Sequence, residues 1–396
     1  MLTSIAMIIL FGLAASWLFT KMKLPSLLGM ILIGILISPS CFNLVDDSIL
    51  LISSDIRQIA LVIILTRAGL SLNISDLKKV GRPAIMMCFI PACIEIFGTI
   101  IFAPLLLKVS YLDAAIIGSV MAAVSPAVVV PRMIKILEEG YGVKQSIPQM
   151  ILAGASVDDV FVIVVFTALT TLASTGTVSV SNFIQIPISI CLGILLGIMV
   201  GKLLVMFFKR THIRDTIKVL IILSISFLML ELQEQLKEII AVSGLLAIMS
   251  MGITIKRDHN ILAQRLSIKY NKLWLGAEVF LFVLVGVAVD ISYALEAGST
   301  VILLVIIALI FRMLGVFISL LGTNLTKKER LFCMMAYTPK ATVQAAIGTI
   351  PLAMGLSCGS IVLTVAVLSI LLTAPFGAIC VDNLYKKLLT KSDANE

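Results

Sequence analysis

Stretches of about 20 apolar residues recur from one end of this 396-residue chain to the other, the length a helix needs to cross the hydrocarbon core of a bilayer. Lipid offers the backbone no hydrogen bonds, so only helices and closed barrels span it. A barrel would be written as short alternating strands, and none are visible. The composition agrees: 60% of residues are hydrophobic, 13% are charged, and the mean hydropathy is +1.14. The expected fold class is an all-α polytopic membrane protein. The first run, "TSIAMIILFGLAASWLF", has no basic segment before it and reads as a span rather than a cleaved signal. Little sequence is expected outside the membrane. No G-x-x-x-x-G-K-[ST] phosphate loop occurs, so no nucleotide partner is expected. The net charge of +8 fits basic loops of a membrane protein rather than nucleic-acid binding. The seven cysteines, at 41, 88, 93, 191, 333, 358 and 380, read as small hydrophobes, not as a disulfide or metal framework.

Hydropathy gives about 13 spans: 3–20, 24–40, 54–72, 82–107, 111–136, 146–172, 180–206, 215–232, 238–255, 273–293, 299–322, 329–355 and 359–383. Charge then alternates between successive connections. Basic ones hold Lys21/Lys23, Lys78/Lys79/Arg82, Arg132/Lys135/Lys144, Lys202/Lys209/Arg210/Arg214, Lys256 to Lys272, Lys327/Lys328/Arg330 and Lys386/Lys387/Lys391. The intervening ones carry at most one basic residue, and two are acidic (Asp46/Asp47 and Asp290/Glu296). Positive loops stay inside, which puts the N-terminus outside and the C-terminus in the cytoplasm. His212 and His259 fall in basic connections and read as solvated loop residues.

The chain also matches itself. "AGLSLNISDL" (68–77) resembles "VGVAVDISYA" (285–294), pairing Gly69 with Gly286, Asn73 with Asp290 and Ser75 with Ser292. The same spacing carries Glu95 onto Arg312 and Gly98 onto Gly315, and "SPAVVV" (125–130) meets "TPKATV" (338–343). An offset of seven spans is odd, so the copies run in opposite directions through the membrane. Inverted repeats of this kind mark secondary transporters, with substrate held near mid-membrane where the repeats meet. The matching spans carry prolines, Pro126 and Pro131 in one, Pro339 and Pro351 in the other. Proline removes a helical hydrogen bond, and Ser125, Thr338, Lys340, Thr342 and Gln344 beside them are polar. Two broken, crossing helices are expected.

Charges inside spans complete the picture. Asp158 and Asp159 stand about a dozen residues into the sixth span, where an acid costs roughly 2.5–3.5 kcal/mol and is functional by default. Adjacent helical residues point about 100° apart, so one carboxylate can face the crossing and the other a neighbouring helix. Carboxylates, with the hydroxyls of Ser125 and Thr338 and freed carbonyls, suit either a hard monovalent cation or a proton. Holding either in turn gives exchange, provided access alternates. Glu95 and Arg312 read as a structural ion pair joining the halves, because guanidinium stays protonated. Lys340 reads as a cation compensating the negative ends of half-helices, with proton carriage the less favoured role. Arg67 and Glu278 lie near basic connections and can snorkel. No nucleophile or metal cluster suggests an enzyme, and no cofactor is expected.

"SVDDVF" and "TPKATVQAAIG" resemble the monovalent cation:proton antiporter superfamily, in particular its NHA-type sodium/proton antiporter branch. The likeness covers nearly the whole chain. It implies one membrane transporter unit over 1–396, a homodimer in lipid, and the plasma membrane of a prokaryote. It further implies a core at 82–172 and 299–383 moving against a dimer scaffold at 1–72 and 180–293. Na⁺ or Li⁺ would be exchanged for H⁺, with Asp159 as principal ligand and Asp158 as its partner. Arg312 departs from the electrogenic members, which carry lysine there, so the simplest count is one proton per Na⁺. The alternative is a sodium-coupled symporter of a small organic anion on a similar fold.

Overall fold

The computed structural model describes the chain except residues 23, 72–80, 175–179, 212, 237–241, 290 and 392–396. Side chains at 127, 156, 180–187, 234 and 291–297 are likewise outside the described set. Asn73, Ser75, Lys78, Lys79, His212, Asp290 and the side chain of Glu296, all used above, therefore lie outside the described residues.

Every expected span falls on helix. In chain order these are α1 (Leu2–Lys21), α2 (Ser26–Ile37), α3 (Asp47–Leu51), α4 (Ser53–Ser71), α5 (Arg82–Met87), α6 (Ile90–Leu107), α7 (Tyr111–Met121), α8 (Pro126–Glu138) and α9 (Ile147–Ser174). There follow α10 (Val180–Arg210), α11 (Asp215–Leu236), α12 (Gly244–Asp258), α13 (Asn260–Val287), α14 (Ile291–Ser319), α15 (Lys327–Ala336), α16 (Thr342–Ile347), α17 (Ile350–Ala353) and α18 (Gly359–Leu388). Seven helical stretches among the described residues are long and apolar enough to cross a bilayer, which makes this a multi-pass membrane protein. One boundary moves well away from the hydropathy reading. α13 begins at Asn260, 13 residues before the expected span, so most of the basic Lys256–Lys272 connection is itself helical.

The two expected breaks are present as interruptions, and the sequence accounts for both. α7 stops at Met121 and α8 starts at Pro126. Proline fits the first helical position, where its missing N–H is unneeded, and it pushes the preceding residue out of the helical region. Ser125 accordingly has φ −86° and ψ 111°. α15 stops at Ala336 and α16 starts at Thr342, with Pro339 between them. Both interrupted helices also begin alike. Ser110 and Asp113 form a capping box at α7, and Thr326 and Glu329 form one at α15, in which each side chain meets the other's backbone N–H. Pro131 lies within α8 and interrupts nothing; Pro351 sits in the first turn of α17.

The helices pack as two units. The first comprises Met1–Leu51, Asn73–Val162 and Phe282–Glu396, and the second Ile52–Leu72 and Ile163–Leu281. Met1–Leu51 belongs to the first unit. In the second unit, small residues let helices approach closely: Gly193 would place a Cβ 2.5 Å from Ser243 O, and Gly69 one 2.5 Å from Met249 O. In the first unit, α6 and α14 run against each other. A Cβ on Gly98 would overlap the Phe311 ring, and one on Gly315 would come within 2.6 Å of Pro91 Cα. A core of Met87, Val124, Met133, Ile151, Phe332 and Tyr337 fills the space beside the first break. The end of α18 is tied to the α8–α9 turn by Tyr385, whose hydroxyl donates to Glu139 Oε2 at 2.6 Å, and by Gly142 N–H donating to Thr390 O at 2.8 Å. That hydroxyl holds the Glu139 carboxyl below the usual range.

Candidate functional site

Breaking a helix in lipid frees backbone groups that must find partners, and the first unit supplies them from the opposite break. At the end of α7, Met121 O accepts from Lys340 Nζ and from Gln344 Nε2 (3.3 Å). Ala122 O accepts from Arg312 Nη1, and Ala123 O from Gln344 Nε2 at 2.7 Å. Val124 N–H donates to Asp158 Oδ2 at 2.8 Å, and Ser125 N–H donates across to Pro339 O at 2.7 Å. At the second break, Tyr337 O accepts from Arg312 Nε at 2.7 Å. Lys340 N–H donates to Thr373 Oγ1 at 3.0 Å, and Ala341 N–H to Gln344 Oε1 at 2.8 Å. Lys340 and Gln344 therefore serve the carbonyl end of α7, the negative pole of that half-helix. Thr338 turns its hydroxyl back onto Met335 O at 2.8 Å, in the last turn of α15.

Four charges meet beside the crossing. Arg312 Nη1 lies 3.0 Å from Glu95 Oε2, Arg312 Nη2 lies 2.8 Å from Asp158 Oδ2, and Lys340 Nζ lies 2.6 Å from Glu95 Oε1. The side chains of Glu95, Asp158, Arg312 and Lys340 are wholly buried. Two acids and two bases cancel. A buried pair survives only when its geometry is good and the remaining polar atoms are met; here Arg312 donates to Glu95, Asp158 and two carbonyls at once.

The neighbouring aspartates live in different surroundings. Asp158 is gripped through Oδ2 by Arg312 and the Val124 N–H. Asp159 is partly accessible, yet its Oδ1 is covered and meets no hydrogen-bond donor. Ser125 Oγ and Asp158 Oδ1 are also buried without a hydrogen-bond partner. Buried polar atoms are normally paired with protein or water, so unpaired oxygens mark a place where cation, proton or water completes the bonding.

Of the expected site residues, Ser125, Pro126, Asp158, Asp159, Pro339, Lys340, Gln344, Glu95 and Arg312 all fall at the crossing or on helices against it. Pro131 lies a turn and more down α8, and the Thr338 hydroxyl is occupied. Two participants carried no signal. Thr373, on α18, looks like any buried threonine of an apolar helix. Tyr337 reads as an aromatic filler before the break; the structure stacks it on Arg312, 5.3 Å from ring centroid to guanidinium carbon.

The profile of the transmembrane sodium/hydrogen exchanger family matches residues 5–386 of this chain. Among curated relatives, sodium/hydrogen exchanger 9B2 of Homo sapiens is 33% identical, over 94% of this chain and 71% of its own. Sodium/hydrogen exchanger 9B1 of Homo sapiens is 32% identical, over 93% and 73%. Among solved structures, the sodium proton antiporter MjNhaP1 from Methanocaldococcus jannaschii at pH 8 superposes with a TM-score of 0.83, covering 97% of both chains at 22% identity.

Proposed function

Since the chain belongs to the sodium/hydrogen exchanger family, we propose that it exchanges Na⁺ or Li⁺ for H⁺ across a membrane and holds either ion at Asp159. The observation that carries this reading is the unequal standing of the two aspartates. Glu95, Asp158, Arg312 and Lys340 balance one another in charge. Asp159 stands outside that balance, with a covered oxygen that no protein donor meets. Hard cations take oxygen ligands, a carboxylate also takes a proton, and one such group cannot hold both. Competition at a single acid is exchange, once access alternates between the two faces. Ser125 Oγ and the second oxygen of Asp158, both buried without a hydrogen-bond partner, are the candidates to complete a cation's shell. Asp158 then acts mainly as a fixed partner of Arg312 and only secondarily as a ligand.

The wider reading follows from the same premise. Thirteen crossings, inverted halves, an outside N-terminus and a homodimer whose core (82–172 and 299–383) moves against a scaffold (1–72 and 180–293) form one consistent scheme. The basic connections support the orientation, and the matched pair Glu95/Arg312, which meets across α6 and α14, supports the inverted repeat. With one exchanging acid the simplest count is one proton per cation, so no net charge moves. Symport of an organic anion is not favoured, because the relatives are named as exchangers. The exchangers 9B2 and 9B1 named above are human proteins, so a prokaryotic plasma membrane rests on the sequence likeness alone.

The test is reconstitution in proteoliposomes with a lumenal pH dye. Adding Na⁺ or Li⁺ without other solutes should change lumenal pH for the wild type. Asp159→Asn, which keeps the shape but loses the charge and the exchangeable proton, should insert normally and give no signal. Full exchange by a correctly inserted Asp159→Asn protein overturns the assignment.

A further inference from the structure

Tyr337 touches both the charge network and the helix bearing the aspartates. It sits at the end of α15, fully buried. Its carbonyl accepts from Arg312 Nε at 2.7 Å, and the guanidinium lies over its ring at 5.3 Å, a cation–π arrangement that strengthens when desolvated. Its hydroxyl has no hydrogen-bond partner. That hydroxyl rests against α9 at Gly154, one helical turn before Asp158. A Cβ built on Gly154 would overlap the hydroxyl oxygen, while the ring carbon bearing it would stand at 3.3 Å. Gly154 is thus a notch cut to the depth of one oxygen atom. Gly154 and Asp158 are four apart and so share a face of α9, and the ring spans from that face to Arg312.

We propose that Tyr337, seated in the Gly154 notch, is the positioning residue that holds Arg312 against Asp158 and so keeps Asp158 out of the exchange. This rests on the reading that Asp159 is the exchanging acid. Arginine can turn among several acceptors, and Glu95 competes for it from the far side. A ring fixed at one end by the break and at the other by the notch confines the guanidinium to a slot that includes Asp158. Displacing the ring lets Arg312 drift toward Glu95 and leaves Asp158 free to take up a second proton. Each cycle would then carry net charge.

The decisive variants are Gly154→Ala and Gly154→Ala/Tyr337→Phe. The first drives a methyl group into the hydroxyl and displaces the ring. The second removes the oxygen the methyl group meets, and Met87 Cβ at 3.2 Å and the ring carbon at 3.3 Å then need to give by only a few tenths of an ångström. Both are reconstituted with a K⁺ gradient and valinomycin, and the end-point Na⁺ gradient is read. Movement of one net charge per cycle shifts that gradient by up to about tenfold for each tenfold K⁺ gradient, because the membrane potential acts in proportion to charge moved. We expect the wild type to ignore the potential, Gly154→Ala to follow it, and the double variant to ignore it again. Adding Asp158→Asn to Gly154→Ala should abolish the new response, which loss of packing alone would not do. Should Gly154→Ala fail to insert, Tyr337→Leu removes the ring without a clash and should follow the potential. A well-inserted Gly154→Ala that ignores the potential overturns the proposal, as does a double variant that follows it. Exchange surviving Asp159→Asn overturns the preceding reading instead; exchange lost there, with a voltage-blind Gly154→Ala, overturns the latch alone.

Discussion

Arg312 donates to Tyr337 O, Ala122 O, Glu95 and Asp158 from a single planar group. No other side chain presents five donors in a fixed fork, so lysine at 312 would leave most of these acceptors unmet. Removing one partner of a buried pair strands the other charge, at a cost on the order of 3–5 kcal/mol. Arg312→Ala should therefore lower the melting temperature of purified protein sharply. Glu95→Ala/Arg312→Ala should recover part of that loss, because Asp158 can then pair with Lys340. Thermal unfolding of Glu95→Ala, Arg312→Ala and the double variant in detergent measures the coupling; losses that simply add would show that Glu95 and Arg312 act independently. At this scale the sequence was informative about which residues matter. Acids and bases inside apolar runs are conspicuous, and Asp158, Asp159, Glu95, Arg312 and Lys340 stood out for that reason. The pairing was less visible. That Arg312 reaches Asp158 as well as Glu95 depends on where two breaks leave their carbonyls, which no spacing along the chain records. Tyr337 and Thr373 act through placement alone and carry no composition signal.

Between elements, the closest approaches are made by glycines, and they separate two kinds of substitution. Gly34 and Gly286 face each other where α2 meets the end of α13. A Cβ on Gly286 would overlap Ile31 O, a backbone atom that cannot swing aside. Gly276, almost three turns earlier on α13, has nothing within 4 Å. Gly286→Val should force the helices apart and destabilise by about 1–3 kcal/mol, the usual cost of overpacking. Gly276→Ala should be neutral or stabilising, because glycine in a helix interior costs up to about 1 kcal/mol relative to alanine. Melting curves of the two variants check the contrast, and equal destabilisation would refute the contact. Hydropathy marked where the apolar helices lie but misjudged the start of α13, because a transfer scale registers only residues that dislike water. Arg265, Lys269 and Lys272 are exposed on that helix and extend it without adding apolar signal. The breaks were legible through Pro126 and Pro339. The matching capping boxes of Ser110 and Thr326, 216 residues apart, were an overlooked signature of the same repeat.

For the molecule as a whole, orientation follows from the alternation of basic and acidic connections. On a cysteine-free background, Asp46→Cys should react with a membrane-impermeant reagent in intact cells and Asn260→Cys should not. The opposite result would invert the topology. The balanced network of Glu95, Asp158, Arg312 and Lys340 bears on how tightly the two ion flows are locked together. In the exchange cycle proposed above, with that network neutral, the state of Asp159 sets the charge of the moving part. Filled by Na⁺ or by a proton, it is neutral and can cross. Vacant, it is an isolated carboxylate that must pass through a poorly polarisable layer, a penalty of roughly 2.5–3.5 kcal/mol on insertion scales. Idle return of an unloaded carrier is then on the order of a hundredfold rarer than a productive step, at 1.36 kcal/mol per tenfold in rate. Slippage, the futile dissipation of one gradient without building the other, would in that cycle be held down by electrostatics rather than by a gate.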